Sequence, residues 1–185
     1  ASVAACSPAA STPDERPRPA VTAVTLDGPD PVSFKWPSVQ GGDISSADLE
    51  GRLSVLVFLT SYDVPSQAQV RVVDRVVRSH VPRINALGVV LEPLDHKPLL
   101  EAYASALDLK FGLVMADAAT IRGEGAFAGL HHVPSIAILD RKARERFRHL
   151  GPMEEDEIVE ALRDVEKATG VGGALDKESG EGAGL

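Results

Sequence analysis

The chain has one cysteine, Cys6, so a single thiol is present and no intramolecular disulfide can close. The other residues able to do chemistry are acids and imidazoles. His131 and His132 stand together before Val133-Pro134. Imidazoles suit zinc or copper, and a carboxylate such as Asp63 would complete a divalent site with them. Adjacent residues on an extended segment point to opposite faces, so at most one of the pair is expected to reach such a site, and no metal is expected. Glu92 follows an apolar run and reads as a solvated acid at a strand end. Arg71, Arg75 and Arg78 recur at helical spacing and read as a solvated face rather than an anion site. The net charge of -8 and the lack of any Lys/Arg-rich run exclude a nucleic-acid footprint, because phosphate binding needs clustered positive charge. No apolar stretch approaches the roughly 20 residues that a membrane-spanning helix requires.

A scaffold must position these groups, and 185 residues with 44% hydrophobic content suit one domain with tails. Residues 1–20 are rich in Ala, Ser and Pro and read as a disordered linker; residues 170–185 read as a glycine-rich disordered tail. Residues 21–169 are left as the domain. Residues 53–60 (LSVLVFLT) form the nearly continuous apolar run of a strand buried on both faces. Residues 65–80 place Val70, Val73, Val76 and Val77 on one helical stripe closed by Val81-Pro82. A second apolar run at 87–94 precedes a helix over 97–107, where Leu99, Leu100, Tyr103 and Leu107 recur at helical spacing. This β-α-β-α order favours a parallel sheet with right-handed crossovers. Residues 111–115 predict a short strand and 117–130 an irregular loop or short helix. Residues 135–139 and 145–150 predict an antiparallel hairpin across 140–143. The last helix is expected from near Pro152, with Glu154 to Glu157 where the macrodipole favours acids, burying Ile158, Leu162 and Val165. The class is α/β, a central mixed sheet flanked by helices.

Three segments, in order, carry a resemblance over residues 32–168. Asp43-Ile44-Ser45-Ser46-Ala47-Asp48-Leu49-Glu50-Gly51-Arg52 is similar to a lead-in of the form V-S-L-S-D-L-K-G-K. Phe58-Leu59-Thr60-Ser61-Tyr62-Asp63-Val64-Pro65-Ser66 falls where F-W-A-S-W-C-x-P-C is found, and Val133-Pro134-Ser135 through Ala143 is similar to V-P-T-x-F-L-I-D-x-x-G. Together they resemble the TlpA-like thioredoxin and redoxin family. The resemblance implies a thioredoxin-like fold in which Pro134 is cis and its loop faces the start of the first helix.

It also implies a degenerate active site at Tyr62, Asp63, Pro65, Ser66, Val133 and Pro134, because Asp63 and Ser66 occupy the two cysteine positions. The peroxiredoxin pattern T-x-x-C becomes T-x-x-D at Thr60 and Asp63, so no catalytic residue and no cofactor are expected. A helix N-terminus stabilises a thiolate, and an Asp there is a good N-cap carrying the same sign of charge. The electrostatics survive and the nucleophile is lost. Copper-binding relatives of the Sco type place a histidine near the site, yet they too rely on two cysteines. Tyr62 and Trp36 are the exposed-aromatic candidates, since in catalytic relatives the aromatic before the first cysteine frames a partner groove.

Val3-Ala4-Ala5-Cys6-Ser7 resembles a bacterial lipobox, which would acylate Cys6; an incidental cysteine in a tail is the other reading. The function expected is a non-catalytic protein- or peptide-binding module on the periplasmic side of the bacterial cell envelope, touching membrane only through Cys6. The alternative is a thiol–disulfide oxidoreductase or peroxiredoxin-related protein acting through a partner, or a metal site at the former active site.

Overall fold

The computed structural model describes residues 30–80 and 83–170; Cys6, both tails and Val81-Pro82 lie outside them. Along the chain come β1 (Lys35–Pro37), β2 (Asp43–Ser45), β3 (Leu53–Leu59), α1 (Val64–His80), β4 (Ile84–Val90) and α2 (Lys97–Leu107). After them follow β5 (Gly112–Met115), α3 (Ala118–Ile121), β6 (Ser135–Leu139), β7 (Glu145–Leu150) and α4 (Glu155–Ala168). The five-stranded sheet has the order β5-β4-β3-β6-β7, and β1 with β2 forms a separate hairpin.

All seven residues of β3 are buried, as a run apolar on both faces demands. The strand pairs in parallel with β4 and antiparallel with β6. Val55, Val57 and Leu59 face a core filled by α1 (Val70, Val73, Val76, Val77), by Leu100 of α2 and by α4 (Ile158, Leu162, Val165). Leu56 and Phe58, one residue out of phase, face a second core with Phe34, Trp36 and Phe127. Trp36, expected at the surface, is 1% exposed. It stacks on Phe34 with centroids 4.1 Å apart, and its Nε1 donates to Asp117 Oδ2 at 3.2 Å. The reason is the β1–β2 hairpin, too short for a periodicity reading, which lays this aromatic against the sheet.

Two boundaries also move. Strand β4 runs from Ile84 to Val90 rather than over 87–94, because pairing with β3 (Leu53↔Ile84 to Leu59↔Val90) limits it; Leu94 lies in a 3₁₀ turn, Leu94–His96. Helix α4 starts at Glu155, beyond Pro152, where the Glu154 amide donates to Glu157 Oε2 at 2.8 Å in a capping box. Arg71, Arg75 and Arg78 of α1 are exposed, and two of them are paired: Arg75 with Glu155 at 2.9 Å and Arg78 with Asp74 at 2.6 Å.

The β6–β7 connection is organised by Asp140, which is 1% exposed. Its Oδ1 accepts the Lys142 and Arg144 amides at 2.8 and 3.1 Å, and its Oδ2 accepts Arg144 Nε and Arg146 Nε, both at 2.9 Å. Both ends of the described chain are fastened here. The Val32 amide donates to Ala143 O at 2.8 Å, and Arg141 reaches Glu166, near the end of α4, at 3.4 Å.

Gly88 lies within β4, and a Cβ added there would run into Leu113 Cδ2, which is itself fully buried. Gly88→Ala is therefore expected to destabilise by about 1–3 kcal/mol in urea titration. For Asp140, burial pushes the carboxyl pKa up, and the bonds from Arg146, Arg144 and Lys142 outweigh it and hold it below the ordinary carboxylate value. A native pKa below the unfolded one gives stability that is present above the unfolded pKa and lost as pH falls through the native pKa. Urea midpoints should drop through the carboxylate range and below it, and Asp140→Asn should flatten that dependence while lowering stability at pH 7.

Candidate functional site

The ends of four strands meet at one end of the sheet. Leu59 pairs with Val90, Val90 with Met115, and Phe58 with Ser135. The segments after β3, β4 and β5 and the loop before β6 therefore share that end, the carboxyl end of the three parallel strands, where binding loops gather.

Asp63 is the residue before α1. Its Oδ2 accepts the Ser66 amide at 2.8 Å and the Ser66 hydroxyl at 2.7 Å, an N-cap onto the third helical position. Ser66 is fully buried, and its Oγ accepts the Thr60 amide at 3.5 Å. Val64 and Pro65 fill the first helical positions, where a missing amide proton costs nothing. Gln67 Nε2 donates to Ser61 O at 2.7 Å, holding the chain just before the cap. Tyr62 projects from this segment and is 74% exposed.

Glu92 departs from expectation. It is 1% exposed rather than solvated: Oε1 accepts the Ser61 amide at 2.5 Å, and Oε2 lies 2.8 Å from His96 Nδ1. Hydropathy ends at Leu91 and carries no sign that the next side chain turns inward. The only sequence signal was the i,i+4 spacing of Glu92 and His96. Asp117, after β5, was also missed. Its Oδ1 accepts the Thr120 amide at 2.7 Å, and that bond, with the one from Trp36, holds its carboxyl below the usual range.

Across from Asp63, the Val133–Pro134 peptide bond is cis. Pro134 is buried and Val133 half-buried. Pro134 O accepts the Gly151 amide at 2.9 Å, and Ser135 Oγ donates to His132 O at 2.7 Å. His131 and His132 are exposed, with ring centroids 4.6 Å apart. They lie side by side rather than on opposite faces, because this loop is not extended strand. Among the described residues, no group of three His, Cys, Asp or Glu side chains could hold a metal ion. The structure thus brings Tyr62, Asp63, Pro65 and Ser66 to the same end as Val133 and Pro134. Trp36 belongs to the core, and Cys6 lies outside the described residues.

No protein-family model and no curated protein matches the chain. Solved structures do. The exposed lipoprotein thioredoxin Etrx1 of Streptococcus pneumoniae TIGR4 superposes with a TM-score of 0.61 at 19% identity, covering 72% of this chain and 99% of that one. A thiol:disulfide interchange protein of the thioredoxin family from Chlorobium tepidum TLS gives 0.64 at 19% identity, covering 75% and 97%. StoA from Bacillus subtilis gives 0.57 at 21% identity, covering 71% and 96%. At these identities the likeness shows architecture, and the mixed five-stranded sheet flanked by helices has a thioredoxin-like fold.

Proposed function

We propose that this chain is a binding module of the bacterial cell envelope. It keeps the thioredoxin-like scaffold without its thiol chemistry, and docks a protein or peptide at the sheet end formed by Tyr62–Ser66 and the Val133-Pro134 loop. The observation that carries this is the Asp63–Ser66 pair. The two side chains at the start of α1 bond to each other, and neither has sulfur. A carboxylate and a hydroxyl have no two-electron couple, so no exchange cycle closes between them. The remaining thiol, Cys6, lies far along the chain from this segment. An extracytoplasmic location and an acyl anchor at Cys6 complete the proposal; that the pneumococcal neighbour is an exposed lipoprotein supports both.

A second reading, thiol–disulfide work through a partner's cysteines, is favoured by the neighbour named as a thiol:disulfide interchange protein. Insulin reduction decides whether the chain itself turns over. With Cys6→Ser in place, the chain should not accelerate precipitation of insulin by dithiothreitol above buffer, and acceleration would overturn the proposal. Adding Asp63→Cys and Ser66→Cys should produce measurable turnover, because side chains that now touch at the helix start would place two sulfurs within bonding reach. If a folded double-cysteine variant closes no disulfide in oxidising glutathione buffer, positions 63 and 66 are not the thiol positions of this scaffold.

A further inference from the structure

The two halves of the candidate site share a neighbour that lies outside the site itself. Among the described residues, no hydrogen bond runs directly between residues 61–67, at the start of α1, and residues 131–134, before β6. Each half is bonded instead to the short connection from β7 to α4, Gly151-Pro152-Met153-Glu154.

On the α1 side the fastening is Gln69, about one turn beyond Ser66 and 2% exposed. Its Oε1 accepts the Met153 amide at 2.7 Å, and its Nε2 donates to Met153 O at 3.1 Å. A side-chain amide here pairs with a main-chain residue in both directions, as two strands of a sheet pair. Met153 is also buried, in the same core as Val70 and Val73 of α1. Losing Gln69 would therefore strand a buried N–H and a buried C=O where water does not reach them.

On the other side, the Gly151 amide donates to Pro134 O at 2.9 Å. Gly151 has φ +112°, a conformation that residues with a Cβ rarely adopt. Only Pro152 separates the two fastenings, and its ring fixes its own φ, so the connection has little slack. Neighbouring contacts act on one half at a time: the pairing of Phe58 with Ser135 sets where β6 begins, and the Asp63–Ser66 cap sets how α1 begins.

We propose that residues 151–153 form a strap that sets the spacing between the start of α1 and the Val133-Pro134 loop, with Gln69 and Gly151 as its positioning residues. The strap goes beyond the binding-module reading and holds whatever occupies the site.

The test uses the full chain carrying Cys6→Ser, with nitroxide labels at Ala68→Cys and His132→Cys, both exposed positions. The distance distribution between the labels is read by double electron–electron resonance, and amide exchange by NMR without the labels. Gln69→Met keeps the length of the side chain and removes both bonds; it should widen the distribution about twofold and speed exchange of the Gly151 amide about tenfold relative to Val57 in β3. Gly151→Ala, acting from the other end, should widen the distribution and speed exchange of the Met153 amide, and it carries the test if Gln69→Met does not fold. Gln69→Glu is compared with the wild type at low and high pH. Protonated, its carboxyl accepts the Met153 amide and donates to Met153 O, and should restore the wild-type distribution; ionised, it has no proton to donate, and the distribution should widen. A distribution of wild-type width in both Gln69→Met and Gly151→Ala overturns the strap, whatever the exchange rates. Equal loss of protection at Gly151, Met153 and Val57 also overturns it, since Gln69 then acts on global stability alone.

Discussion

Everything at the candidate site hangs from one constraint, the closure of β3 on all four sides. Its two faces meet separate apolar cores and its two edges are occupied by β4 and β6. A strand so enclosed has no register freedom, because a one-residue slip would exchange Val55, Val57 and Leu59 with Leu56 and Phe58 between cores of different shape. The chain leaving β3 at Thr60 therefore starts from a fixed point. The short segment to the first turn of α1 inherits that precision without needing bulk of its own.

Polar groups then finish what the apolar cores begin. Three strands end near three acids, and each acid accepts a main-chain amide. Asp63 takes that of Ser66, Glu92 that of Ser61, and Asp117 that of Thr120. The same device recurs at the far end, where Asp140 gathers two amides and two guanidinium groups. Loops that would otherwise leave amides unpaired are given anionic acceptors, which bond more strongly than neutral ones.

Much of this was legible in the residues. The run LSVLVFLT announced a strand buried on both faces, the valine stripe announced α1, and the 135–150 region announced its hairpin, all confirmed in place. These are features that local periodicity controls. What escaped depended on distant partners. Trp36 reads as exposed until the β1–β2 hairpin covers it, and Glu92 reads as solvated until the Ser61 amide and His96 claim its oxygens. The extent of β4 was misjudged at both ends because the ladder with β3, rather than the apolar run, determines it. At the site, the Asp63 cap was readable from residue type and position alone; the side-by-side histidines were not, because their rings are placed by a loop with no period.

The fastening of Val32 and of Glu166 to the β6–β7 connection gives the domain a front and a back. The polypeptide enters and leaves beside Ala143 and Arg141, whereas Tyr62, Asp63 and Pro134 lie at the opposite end of the same strands. The ends of the described chain and the candidate site thus occupy opposite ends of one sheet, so a change at either is separated from the other by the length of β3 and β6.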